Sequence, residues 1–70
     1  MLRLTGVDSE RALALRALMD VGCSVALERP LGEEGEICVI EGRGHQIVGR
    51  GPTADAAAAD ALAKWEDVAA

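Results

Sequence analysis

The spacing of the apolar residues predicts a helix in the first third of the chain. Between residues 8 and 22 they recur at helical intervals, and Leu15, Leu18 and Met19 fall on one stripe. Gly22 lies at the end of this stripe and suits the left-handed conformation in which helices often stop. We therefore expect a helix that packs this stripe against the rest of the molecule.

After this helix the period changes to two, which is typical of half-buried strands. The alternation over residues 23–28 predicts a first strand, and the β-branched run 37–40 predicts a second. A third strand follows over residues 45–50. Proline and glycine in the intervening segments, residues 30–35 and 42–44, predict two turns that join the strands.

A second helix is predicted from Thr53 onward, and both helices have residues suited to capping. Thr53 can cap the second helix, and Asp55 in its first turn complements the helix dipole. Asp8 can cap the first helix, with Thr5 as a rival cap one turn earlier. The predicted inner face of the second helix comprises Ala58, Ala61, Leu62, Trp65 and Ala69. Because alanine dominates this face, the helix can approach a sheet closely.

The two turns define a strand register. If Arg29 pairs with Glu36 and Glu41 pairs with Gln46, one sheet face collects the apolar residues and becomes the core face. The core face comprises Cys23, Val25, Leu27, Cys38, Ile40 and Ile47. The opposite face, here named the open face, comprises Ser24, Ala26, Glu28, Ile37, Val39, Glu41, Gln46, Val48 and Arg50. The predicted fold is α+β, a two-layer sandwich in the order helix, three-stranded antiparallel sheet, helix, with both helices on one face.

The same register bears on the two cysteines. Cys23 and Cys38 fall out of register, and a rise of about 3.3 Å per residue places them beyond the reach of a disulfide. We expect both to be buried core thiols.

Composition limits the number of domains and the class of partner. The 70 residues carry 12 acidic and 7 basic side chains, for a formal charge of -5, and form one domain over residues 1–70. An acidic chain argues against direct binding of nucleic acid. The sequence shows neither a signal-peptide pattern nor an apolar run of membrane-spanning length, so we expect a cytoplasmic protein that binds no membrane.

The sequence motifs do not favour catalysis. His45 is the single histidine and lies beside a glycine turn, with no partner pattern for nucleophilic chemistry. The acidic run 33–36 lacks the ligand spacing of an EF-hand, and residues 49–51 precede a helix without the lysine of a phosphate loop. We expect a non-enzyme without cofactor or metal.

The excess of acidic over basic residues lies on the first hairpin and the second helix. Residues 30–42 include four glutamates and no lysine or arginine. The candidate partner-binding residues are Glu33, Glu34, Glu36, Glu41, Asp55 and Asp60. A carboxylate cluster of this kind can dock on a basic groove of another protein. The alternative is that these charges only keep the protein soluble.

The element order resembles that of the double-stranded-RNA-binding domain. The resemblance extends to residues 49–53, which open the last helix, and to Ala57, Ala61 and Leu62 within it. In that family a lysine cluster at the start of this helix grips phosphates. The corresponding positions here are Ala54, Asp55 and Ala58. The resemblance therefore implies the topology but not the RNA contacts.

In size, charge and alanine content the chain also resembles small phage-encoded proteins, among them acidic anti-CRISPR inhibitors. Some of these inhibitors occupy the basic DNA channel of a CRISPR complex. The resemblance implies an acidic inhibitor whose partner is the basic surface of a nucleic-acid-handling complex. A phage-encoded protein of this kind would act in the cytoplasm of the host cell.

A second hypothesis assigns the contact to the open face. Ile37, Val39 and Val48 would form an exposed apolar stripe there, and such a stripe often marks a contact surface. The protein would then be an interaction module that dimerises through this face, as a weak homodimer. Ordinary β propensity on a solvated face of a monomer is the competing explanation.

Overall fold

The structure, a computed structural model, describes residues 4–30, 32 and 34–69, the side chain of residue 69 excepted. The elements are α1 (Ser9–Asp20), β1 (Ser24–Glu28), β2 (Glu36–Gly42), β3 (His45–Gly51) and α2 (Ala54–Ala69). The predicted α+β class and its order of helix, three antiparallel strands and helix are confirmed. The predicted partner residue Glu33 and the predicted inner-face side chain of Ala69 lie outside the described part.

The ends of α1 follow the sequence prediction. The side chain of Asp8 accepts a hydrogen bond from the backbone N–H of Glu10 at 3.0 Å, so Asp8, and not Thr5, is the N-cap. At the other end, the backbone N–H of Gly22 donates to the carbonyl of Met19, and Gly22 has a φ of 95°.

The second hairpin has a two-residue turn. Gly42 pairs with His45, and the two residues between them, Arg43 and Gly44, have φ of 51° and 79°. Positive φ at both positions gives the turn the twist that matches the flanking strands. This turn determines how β3 registers against β2.

The sheet is antiparallel in the order β1-β2-β3, and its register is the one predicted. Leu27 lies opposite Cys38, which lies opposite Gly49, and Glu41 lies opposite Gln46. Cys23 lies four residues before Leu27, and Leu27 is the residue opposite Cys38. The two thiols are therefore far apart along the strand direction. Cys23 and Cys38 are both free and buried, as expected.

One cluster of buried side chains forms the core. Its members are Leu15, Cys23, Cys38, Ile40, Ala57, Ala58, Ala61 and Trp65, with Leu4, Val7, Leu18, Val25, Leu27, Ile47 and Leu62 packed against them. Every residue predicted for the core face is in this set. Leu15 of α1 and four residues of α2 contribute to it together with Cys38 and Ile40.

The core depends on a close approach between α2 and β3. A Cβ built on Gly49 would lie 2.5 Å from the carbonyl oxygen of Ala57 and would also collide with the backbone of Ala61. Ala57, Ala58 and Ala61 are all fully buried. Helix and strand therefore pack nearly backbone to backbone, as the alanine content of α2 predicts.

We expect Gly49→Ala to destabilise the fold by about 2 kcal/mol, or about 10 °C in Tm, because the added methyl meets backbone atoms that cannot rotate away. Thermal unfolding followed by circular dichroism measures this. The matched control is Gly44→Asn, where no atom lies within 4 Å of the added Cβ and asparagine tolerates positive φ. Equal Tm values for Gly49→Ala and the wild type would contradict the close approach.

Candidate interaction surface

The open face consists of three cross-strand rows, each with one residue from each strand. The rows, in the order β1, β2, β3, are Glu28–Ile37–Arg50, Ala26–Val39–Val48 and Ser24–Glu41–Gln46. The middle row is entirely apolar, and the polar and charged residues lie in the rows on either side. This arrangement follows from the period of two along each strand.

The open face is accessible to solvent throughout. Val48 is 36% exposed, and Ile37 and Val39 beside it are half-buried. None of the nine residues of this face is fully buried. By strand alternation their side chains point away from Cys38 and Ile40, which belong to the buried core. The face therefore presents a small apolar row within a polar border.

The free edge of β3 is covered by two side chains of α2. The carboxylate of Asp60 accepts a hydrogen bond from the backbone N–H of Arg50 at 2.9 Å, and Lys64 Nζ donates to the carbonyl of Val48 at 3.1 Å. Asp60 and Lys64 also form an ion pair at 3.0 Å. These hydrogen bonds, first from Arg50 and then from Lys64, lower the pKa of Asp60. Two of the backbone groups that another strand would need on β3, the N–H of Arg50 and the carbonyl of Val48, are thus occupied.

An ion pair joins the start of α1 to the start of α2. Arg11 donates from Nε to one carboxylate oxygen of Asp55 at 2.5 Å and from a terminal nitrogen to the other at 2.6 Å. The backbone N–H of Asp8 also donates to Asp55, at 2.9 Å. The hydrogen bond from Arg11, and then that from Asp8, lower the pKa of Asp55 to about 2. Asp55 is therefore part of the structural link between the helices.

The carboxylates predicted to bind a partner occupy different parts of the structure. Glu36 lies on the core side of β2 and pairs with Arg29 at 2.9 Å, whereas Glu41 lies on the open face and accepts a long hydrogen bond from Gln46 at 3.3 Å. Asp55 and Asp60 have the basic partners described above. Of the five described carboxylates, three are paired with basic side chains, and Glu34 and Glu41 form no ion pair among the described residues.

A cleft of about 430 Å³ lies where the first hairpin meets the end of β3. Its lining comprises Pro30, Glu34, Gly35, Glu36, Ile37, Arg50, Gly51 and Pro52. His45 lies in a second depression at the opposite end of the sheet, beside Glu41 and Gln46. The cleft therefore brings acidic groups next to one arginine, but the histidine is not among its residues.

The described residues also bear on metal binding, on thiol chemistry and on membrane insertion. Within residues 4–30, 32 and 34–69, no group of three or more histidine, cysteine or acidic side chains could hold a metal ion. Burial raises the pKa of the Cys38 thiol, which keeps it protonated. Among the described helices, none is both long and apolar enough to cross a membrane.

Comparison of the chain with known protein families, with curated proteins and with solved structures finds no match. The interpretation of the surface therefore depends on its own geometry.

The ion pair at Asp55 makes the stability depend on pH. Because folding lowers the pKa of Asp55 from 3.8 to about 2, its contribution is complete above about pH 4 and is lost as the pH falls through 2. We expect Asp55→Asn to unfold at lower urea concentration than the wild type near neutral pH, with a difference that shrinks in acid. Asp67→Asn, an exposed position on α2, makes the same charge change without this pair and serves as the control. A pH-independent difference for Asp55→Asn would contradict the assignment.

Proposed function

We propose that the protein is a non-enzymatic binding module and that the open face is its contact surface. The observation that carries the proposal is the apolar row Ala26–Val39–Val48, which is accessible to solvent and lies in the centre of the face. Contact surfaces commonly have such an apolar centre within a polar rim. The rigid sheet below holds these side chains in position at no further cost in backbone entropy.

The charge of the chain supports a protein rather than a nucleic acid as the partner. The formal charge is -5, and the open face carries Glu28 and Glu41 against Arg50 alone. A phosphate backbone would be repelled by the carboxylates, and a face with one arginine can neutralise few phosphates. The two outer rows of the face instead present charged and polar side chains, which can pair with polar side chains of a protein.

We expect Val39→Glu to abolish binding through the open face, because it places a charge in the middle of the apolar row. The wild type, Val39→Glu and Leu13→Glu are compared as bait in lysate from the native cells, with chemical cross-linking before capture so that weak complexes are retained. Leu13 is 66% exposed on α1, so Leu13→Glu makes the same chemical change away from the sheet.

The expected result is that a bound protein is retained by the wild type and Leu13→Glu and lost by Val39→Glu. Circular dichroism and thermal unfolding establish that all three are folded. Retention by Val39→Glu at the wild-type level, or loss by Leu13→Glu, would contradict the proposal.

A second candidate function is supported by the acidic excess. In this proposal the chain is an anti-CRISPR-like inhibitor, encoded by a phage and acting in the cytoplasm of its host, that occupies a basic DNA-binding groove. Glu34 and Glu41 are the described candidate residues without a basic partner among the described residues, and they carry this proposal with Glu33. The pairing of Glu36, Asp55 and Asp60 reduces the charge that remains for such a groove.

The acidic proposal predicts salt-sensitive competition with DNA. Inhibition of DNA binding by a CRISPR complex should weaken as the salt concentration rises, because ionic screening shortens the reach of the carboxylates. Replacing Glu34 and Glu41 by lysine should remove the inhibition, whereas replacing the exposed Glu66 and Asp67 of α2 by lysine should leave most of it. Inhibition that is unaffected by salt and by the first pair of substitutions would exclude this function.

A further inference from the structure

The row Glu28–Ile37–Arg50 carries opposite charges at its two ends. Glu28 on β1 and Arg50 on β3 are separated by β2, so their Cα atoms lie about 10 Å apart at the usual strand spacing. Both side chains are exposed, and neither forms an ion pair within the described part of the chain. An acid and a base on one face, at equal distances from its midline and without an ion pair in the described part of the chain, make that face complementary to itself.

We propose that the partner of the open face is a second copy of this chain, related by a twofold axis that runs along β2. This inference rests on the proposal that the open face is the contact surface. An axis in this direction places β1 of one copy over β3 of the other and leaves the two β2 strands over each other. Glu28 of each copy then faces Arg50 of the other, which gives two equivalent ion pairs in one isologous interface.

The apolar row is complementary in the same arrangement. The axis places Ala26 of one copy over Val48 of the other, and Val39 over Val39. Small and larger side chains therefore face each other at both sides of the row, as interdigitating sheets require at a separation of about 10 Å. Aligned sheets cross at about 30°, which moves the corners of the face by a few ångströms, and the long side chains of Arg50 and Glu28 can span that displacement.

Two other arrangements are less favourable. An axis that runs across the strands places Glu41 over Ile37, which removes a carboxylate from water against an apolar side chain. Association by strand addition at β3 must displace Lys64 from the carbonyl of Val48 and Asp60 from the N–H of Arg50. The axis along β2 avoids both problems, and its single unfavourable contact is Glu41 against Glu41.

The size of the face indicates a weak dimer. Three strands at about 4.8 Å and five residues at about 3.3 Å cover roughly 250 Å² of sheet on each copy. Stable complexes usually bury about 800 Å² per partner, so we expect a dissociation constant on the order of 100 μM. Such an affinity matters where the local concentration of the chain is high.

The test exchanges the charges. Glu28→Arg alone sets arginine against arginine at both pairs, and Arg50→Glu alone sets glutamate against glutamate. We expect each variant to associate with itself at least about tenfold more weakly than the wild type. Mixed together, they regain both ion pairs, and their mutual affinity should return to within about threefold of the wild-type value. The measurement is an NMR titration of the ¹⁵N-labelled variant Glu28→Arg with unlabelled Arg50→Glu, followed at Ala26, Val39 and Val48.

Two further variants extend the test. Glu41→Gln removes the unfavourable contact at the axis and should tighten the wild-type dimer by about threefold. Glu66→Gln on α2 removes an equal charge from an exposed helix position and should leave the dimer unchanged. Recovery of binding in the mixture also demonstrates that both charge variants fold.

A wild-type chain that shows no concentration-dependent shifts up to about tenfold above the expected dissociation constant overturns the second copy as partner. Self-association without recovery in the mixture overturns the twofold axis along β2. Neither result overturns the open face as a contact surface, which depends on the comparison of Val39→Glu with Leu13→Glu. If Val39→Glu and Leu13→Glu retain a bound protein equally and no dimer forms, both proposals are overturned.

Discussion

The contact between α2 and β3 is the constraint on which the rest of the structure depends. Gly49 has no side chain, and the residues above it on α2, Ala57 and Ala61, have the smallest side chain available to a helix. The two backbones can therefore come close enough to exclude water without large side chains between them. A chain with one tryptophan and no phenylalanine or tyrosine has little apolar volume to bury, and dense packing compensates because dispersion forces fall steeply with distance.

The close approach of α2 to β3 also determines which charged side chains find partners within the molecule. Once α2 lies along β3, Asp60 accepts a hydrogen bond from the N–H of Arg50 and Lys64 donates one to the carbonyl of Val48, both at the free edge of the strand. The start of α2 comes beside the start of α1, where Arg11 meets Asp55. Carboxylates that form one acidic group in the sequence are thus divided between internal pairs and exposed positions. These ion pairs leave the formal charge of -5 unchanged, but Asp55 and Asp60 each have a basic side chain beside them, so their charges are compensated locally.

The open face, which lies away from the buried core, also has an ordered pattern of residues. The register that aligns the core also aligns the apolar middle row of this face. Val39 and Cys38 are neighbours on β2, and their side chains point to opposite faces of the sheet. The register that packs the core therefore also sets the geometry of the open face. Contact through a sheet face needs no movement of the backbone, whereas contact at the edge of β3 would have to displace the hydrogen bonds of Asp60 and Lys64.

Much of the fold could be predicted from the sequence because it depends on local signals. The two periods identified the helices and strands, Asp8 and Thr53 capped the helices as expected, and the turns gave a register that agrees with the observed one. The predicted core face also agrees, since a register determines which side of each strand is buried.

Two contacts could not be predicted. Arg11 and Asp55 are 44 positions apart, and no spacing rule connects them. Asp60 and Lys64 fit the pattern of an exposed helical pair, and their bonds to β3 appear only when the helix is placed on the sheet. The sequence by itself determined the elements, their caps and their register, because these depend on near neighbours. Only the tertiary structure decided that Arg11 pairs with Asp55 and that Asp60 and Lys64 bond to β3, because both depend on where the two helices meet each other and the edge of the sheet.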